Sequence, residues 1–177
     1  MRLFVALSLP ADLRSRLCAL SSGLPGARWV DPANLHLTLR FIGEVGGHEA
    51  DDVDAALSGI NGKRFSLTLS GLGQFGGDRR LRALWAGVEP NEALDHLQAK
   101  IETALQRAGL APEKRKFKPH VTLARFKANP GERLQDYIVE RSLFRAEPFE
   151  VTEFVLYSSY LAHKGAIYAP EATYPLI

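Results

Sequence analysis

The tetrapeptides His36-Leu37-Thr38-Leu39 and His120-Val121-Thr122-Leu123 share one form, His-apolar-Thr-Leu, and stand one in each half of the 177-residue chain. Alternation of polar and apolar residues marks a half-buried strand, because successive side chains leave a strand on opposite faces. Each tetrapeptide therefore predicts a strand that buries Leu37 and Leu39, or Val121 and Leu123, and presents His36 with Thr38, or His120 with Thr122, on its other face. A chain holding two such strands has to cover both apolar faces, and the matched placement suggests duplicated lobes.

Periodicity and chain breakers supply the rest of the frame. A strand is expected over 3–9, then a helix started by Pro10-Ala11-Asp12 with Leu13, Leu17 and Leu20 on one face, ended by the glycines at 23 and 26. Strands follow over 35–42, 65–69 and 81–88, with a helix over 49–57. The clearest helix covers 92–108, where Leu94, Leu97, Ile101, Ala104 and Leu105 form a stripe that Gly109 terminates. Beyond it come a strand over 121–126, a short helix after Pro130-Gly131, a long strand over 149–157 and a last one over 167–174. The glycine-rich stretch 71–77 reads as a loop. The sum is an α+β protein built on antiparallel sheets, either one domain or two small lobes sharing a core.

A net charge of +2 from 22 basic and 20 acidic residues is too weak a field for nonspecific nucleic-acid binding, so any affinity for phosphate has to be local. Cys18 is the only cysteine. It excludes an internal disulfide and a Cys-rich metal site, fits a reducing cytoplasm, and reads as a buried helix residue. The apolar run 3–9 imitates the start of a secretory signal, but Pro10 interrupts it and Asp12, Arg14 and Arg16 follow. No stretch reaches the roughly 18 apolar residues of a membrane span. A cytoplasmic protein is expected.

If the two motif strands lie side by side across a pseudo-two-fold axis, two imidazoles and two hydroxyls converge in one cleft. That set suits a phosphodiester. Hydrolysis needs a base for the attacking water and an acid for the departing oxygen, and imidazoles with ordinary pKa near 6.5 can divide those roles around neutral pH. The threonine hydroxyls can donate to the non-bridging oxygens. One His-x-Thr strand alone reads as a packing feature; two in matching positions point to chemistry. Zinc is the other functional reading, but neither motif has a Cys, Asp or Glu at ligand spacing, and Asp31 and Glu44 read as loop residues. The scheme requires no metal and no cofactor.

The motifs with their flanks resemble the 2H phosphoesterase superfamily, specifically the bacterial RNA 2′,3′-cyclic phosphodiesterases formerly called 2′-5′ RNA ligases. The similar segments are Arg2-Leu3-Phe4-Val5-Ala6, His36-Leu37-Thr38-Leu39-Arg40-Phe41-Ile42-Gly43, Leu84-Trp85-Ala86-Gly87-Val88, Phe117-Lys118-Pro119-His120-Val121-Thr122-Leu123-Ala124-Arg125 and Leu156-Tyr157-Ser158-Ser159. The resemblance implies a single bilobal domain over 1–177 with two antiparallel sheets facing a central cleft. It also implies metal-independent opening of a 2′,3′-cyclic phosphate to a 2′-phosphomonoester, with His36 as proton donor to the leaving 3′ oxygen and His120 as the acceptor that activates water. Thr38 and Thr122 would hold the phosphate. The expected partners are RNA with a 2′,3′-cyclic phosphate end, or related small cyclic or 2′-5′ linked nucleotides, bound by a monomer.

Two arginines compete for the phosphate. Arg125 stands where similar proteins carry one, yet strict alternation from His120 and Thr122 puts Ala124 on their face, and Arg125 reaches it only if the strand ends, twists or bulges after Leu123. Alternation from His36 and Thr38 instead favours Arg40. Trp85 and Phe41 are candidates to stack on a base, though strand aromatics are more often core. Lys114, Arg115, Lys116 and Lys118 form a basic run able to guide an RNA backbone. His48, His96 and His163 lack a Thr two residues on and read as surface residues. Two other functions fit the same fold: 2′-5′ RNA joining as the reverse reaction, and a non-catalytic nucleotide or RNA-binding module.

Overall fold

Leu3 to Leu7 are five consecutive apolar residues, all buried, which a strand tolerates only when both its faces are covered. The computed structural model, which describes residues 1–76, 83–128 and 130–177, shows why. In chain order its elements are β1 (Arg2–Ser8), α1 (Ala11–Cys18), β2 (Ala27–Trp29), a 3₁₀ turn (Pro32–Asn34), β3 (His36–Glu44), α2 (Gly47–Ser58), β4 (Phe65–Leu67), β5 (Leu69–Phe75) and β6 (Ala83–Val88). There follow α3 (Glu92–Arg107), β7 (His120–Phe126), α4 (Glu132–Glu140), β8 (Phe149–Val151), β9 (Glu153–Ala162) and β10 (Gly165–Pro175).

The first sheet runs β10-β9-β1-β3 and the second β2-β7-β6-β5, every pairing antiparallel, with β4 and β8 forming a separate two-stranded ribbon. This is the expected α+β class. Each motif strand belongs to a different sheet, β3 to the first and β7 to the second. The sheets are not the two halves of the chain, however. The first joins the N-terminal strands to the C-terminal pair, and β2 crosses from the early chain to edge the second. A continuous cluster of buried residues draws on both sheets and on the helices behind them. Each Leu or Ile fully buried there contributes roughly 1.5–3 kcal/mol, set against conformational entropy of similar total size.

The helices follow their sequence signals. In α3, Asn91 caps the start by accepting from Leu94 N at 3.0 Å, and Leu94, Leu97, Ile101 and Leu105 form the buried stripe. In α1, Leu13 and Leu17 are buried, while Leu20 lies past the helix end and Cys18 is its last residue, half-buried rather than fully so. The stretch 71–75 is not a loop but most of β5. Its glycines serve packing: a Cβ on Gly73 would stand 2.3 Å from the Trp85 ring, so only glycine lets that indole lie across the strand. The long strand expected over 149–157 is two, because β8 leaves to pair with β4 before β9 joins β1. The strand expected from residue 81 begins at Ala83 in the described part, residues 81–82 and Gly77 lying outside it. No helix among the described residues is long and apolar enough to cross a membrane.

Candidate active site

The two motif strands approach each other across the space between the sheets. His36 and Thr38, with His120 and Thr122, line one cleft of about 390 Å³. Leu37, Leu39, Val121 and Leu123 are buried behind it, as alternation requires.

Both imidazoles are fixed in the same way. His36 Nδ1 lies 2.6 Å from the Asn34 carbonyl, and His120 Nδ1 lies 2.6 Å from the Lys118 carbonyl. A carbonyl only accepts, so in each ring Nδ1 carries the proton and Nε2 is left as the working nitrogen. His36 Nε2 is 2.8 Å from Thr38 Oγ1, and in the neutral ring the hydroxyl donates. Asn34 also donates through Nδ2 to the Ala166 carbonyl at 2.8 Å, which anchors the His36 clamp to β10. The clamp begins in the 3₁₀ turn, where Asp31 caps by accepting from Ala33 N at 2.9 Å. Glu44 is not a loop residue: it ends β3 and pairs with the N-terminal ammonium at 3.0 Å. Among the described residues no group of three or more His, Cys, Asp and Glu is placed to hold a metal ion.

Aromatic rings back both histidines. Phe4 and Tyr168 sit 5.0 and 5.3 Å from the His36 ring, and Phe75 sits 4.7 Å from His120 edge-on. Burial among them lowers both imidazole pKa values below 6.5. For His36 the Asn34 carbonyl opposes this, while the charges of Arg125 and His120 add to it; for His120 the Lys118 carbonyl opposes and Arg125 adds.

The arginines are separated by a device that occurs twice. In β3, Thr38 pairs with Ala6 but Arg40 pairs with Val5, leaving Leu39 as an extra residue. In β7, Thr122 pairs with Trp85 but Ala124 pairs with Leu84, leaving Leu123 extra. Each β-bulge reverses the alternation that follows it. Arg40 is thereby turned off the His36 face. It is only 8% exposed, bonds Glu102 of α3 through Nε at 2.5 Å, and donates to the carbonyls of Phe41 and Ala111. This departs from its expected alignment with His36 and Thr38. Arg125 is turned the other way, onto the cleft, whose wall it joins.

Several cleft residues came from parts of the chain that alternation alone does not connect: Arg2, Phe4, Asn34, Ser159 and Tyr168. Phe41, 55% exposed, borders the cleft as the bulge dictates. Trp85 lines no part of it. Its ring lies 6.2 Å from His120 and 5.3 Å from Phe75, and its Nε1 is buried with no partner among the described residues. His48, His96 and His163 are exposed.

The sequence profile of the 2'-5' RNA ligase superfamily matches residues 10–161. The chain belongs to that superfamily. Among the relatives of these 2H phosphoesterases, the RNA 2',3'-cyclic phosphodiesterase of Archaeoglobus fulgidus is 33% identical over 171 residues, covering 95% of this chain and 96% of its own. That of Aeropyrum pernix is 37% identical over 149 residues, covering 83% and 84%. That of Escherichia coli is 32% identical over 173 residues, covering 96% and 93%. The crystal structure of E. coli LigT complexed with 3'-AMP matches with a TM-score of 0.82 at 30% identity, over 99% of this chain and 97% of that one.

Proposed function

We propose that this superfamily member is a hydrolase that opens a 2′,3′-cyclic phosphate at an RNA end to the 2′-phosphomonoester, by acid–base catalysis between His36 and His120. The observation that carries the reading is the convergence of two Nε2 nitrogens, each with its Nδ1 proton tied to a main-chain carbonyl, with two threonine hydroxyls and Arg125 in one cleft. The names borne by the relatives supply the substrate class.

The phosphate sits between Thr38 and Thr122, whose hydroxyls donate to its non-bridging oxygens, while Arg125 offers a planar guanidinium to the charge that builds there. His120 Nε2 takes a proton from water, the hydroxide oxygen bonds to phosphorus, and the bond from phosphorus to the 3′ oxygen breaks. His36 Nε2 delivers the proton to that oxygen. The donor and acceptor labels come from the family resemblance, since the two clamps are alike. Arg40 holds structure behind β3 and takes no part in phosphate binding. The protein works as one bilobal monomeric unit in the cytoplasm, whose reducing conditions suit a chain with a single thiol.

The test is to supply an RNA ending in a 2′,3′-cyclic phosphate and identify the product after exhaustive chelation of divalent ions. A 2′-phosphomonoester is expected. A joined 2′-5′ product in place of it makes the protein a ligase, binding without turnover makes it a recognition module, and activity restored only by one divalent ion overturns the metal-free scheme.

A further inference from the structure

The two histidine clamps are alike at the ring and unlike behind it. On the His120 side the clamping carbonyl belongs to the Lys118-Pro119 peptide. Proline fixes its own φ and confines the residue before it to extended backbone, so covalent geometry holds the Lys118 carbonyl in place. On the His36 side the carbonyl belongs to the Asn34-Leu35 peptide, which has no such lock. The N–H of that peptide bonds the Pro32 carbonyl at 3.3 Å, longer than most such bonds, within a 3₁₀ turn of three residues.

The Asn34 side chain supplies the missing constraint. Its Nδ2 donates to the Ala166 carbonyl of β10 at 2.8 Å. Two residues further along the same strand, the Tyr168 ring lies edge-on to His36 at 5.3 Å. β10 therefore holds the His36 imidazole at two points, through the carbonyl behind Nδ1 and against the ring itself. The strand does so near the end of its hairpin. Past Ser159, β9 no longer pairs with β1, so residues 160–167 pair only with one another and expose Tyr160, Leu161 and Ile167. The Asn34 bond fastens this end of the hairpin to the site.

We propose that Asn34 is a positioning residue for the proton donor: its amide holds its own main-chain carbonyl against His36 Nδ1–H, so that Nε2 stays aimed at the leaving oxygen. The proposal rests on the cyclic-phosphodiesterase reading and adds to it a part that lies outside the paired motifs. Without the amide the 34–35 peptide turns freely about the ψ angle of residue 34, and its carbonyl leaves the ring. The proton of the neutral imidazole is then no longer confined to Nδ1, since which nitrogen carries it is set by the bond the other makes. A proton donor out of line costs rate rather than substrate affinity. His120 depends on no side chain in this way and keeps its clamp.

The experiment pairs nitrogen NMR of the labelled imidazoles with kinetics on a 2′,3′-cyclic phosphate, for the native protein and Asn34→Ala. In the native protein both neutral rings should carry their proton on Nδ1. In the variant His36 should show both tautomers while His120 is unchanged, and kcat should fall about tenfold with KM nearly kept. Asn34→Asp has the same shape but lacks the donor, and should release His36 likewise even where the smaller alanine disturbs the turn. A His36 that stays protonated on Nδ1 in both variants overturns the proposal. So does a released ring with native kcat, or a loss confined to KM. A native protein that leaves the cyclic phosphate intact strikes instead at the hydrolase reading, because the tautomer shift is read without turnover.

Discussion

The strands β3 and β7 start alike and diverge at their fourth and fifth residues after the histidine. Both run His-apolar-Thr, both bulge at the following leucine, and both bury the next residue, Arg40 in one and Ala124 in the other. The residue after that returns to the cleft: Phe41 from β3, Arg125 from β7. The same backbone device thus makes one end of the site aromatic and the other cationic. What the pair teaches is that the symmetric part of the motifs carries the proton transfers, while the asymmetric part, downstream of the bulges, decides where charge and rings stand.

The comparison breaks most visibly at the histidines. Either His36→Ala or His120→Ala should lower kcat on a cyclic phosphate by roughly 10²-fold or more, the usual loss of an acid or base; near-normal turnover in one variant would make its strand a scaffold only. Arg125→Ala follows, with kcat/KM falling roughly 10- to 100-fold for the loss of charge-assisted bonds to phosphate. Arg40→Ala should keep most of that activity and instead cost roughly 1–3 kcal/mol of stability, because Glu102 and the carbonyls of Phe41 and Ala111 lose their donor. If thermal melting and kcat/KM responded in the reverse order, the bulges would be misassigned.

Two pH effects are smaller. Burial alone would raise the Glu102 carboxyl, but bonds from Arg40, the Glu113 N–H and Gln106 hold it at about 2. Its folded value lies below the unfolded one near 4.5, so this contribution is complete above pH 4.5 and is lost as pH falls from there towards 2. Acid melts of the native protein and of Arg40→Ala should converge over that window. In the cleft, both histidine values are lowered, so the bell of kcat/KM should centre below pH 6.5. Removing Arg125, whose charge lowers both, should move the bell to higher pH; a bell that stays in place would show that Arg125 does not face the pair.

Much of this was legible from residue order. The alternation around His36 and His120 gave away both strands and their working faces, and the stripe of α3 was read nearly to its ends. The bulges were not legible, because Leu39 and Leu123 are as apolar as any core residue and nothing in their type says they are unpaired. Strict alternation therefore carried Arg40 to the wrong face and left Arg125 conditional on an irregularity that does occur. The three-residue β2 is too short to show a period, and the glycines of β5 read as a loop because their purpose, room for the Trp85 ring, is set by a strand further along. Arg2 and Tyr168 reach the cleft through sheet pairing across the whole chain length, which no local pattern encodes.

The most direct measurement is turnover of a 2′,3′-cyclic phosphate by His36→Ala, His120→Ala and the two combined, at matched pH and with folding checked. If the two strands form one acid–base site, the double variant should be about as slow as the slower single one, since the pair acts as a unit. Losses that multiply, or a double variant that still turns over near the native rate, would contradict a shared site.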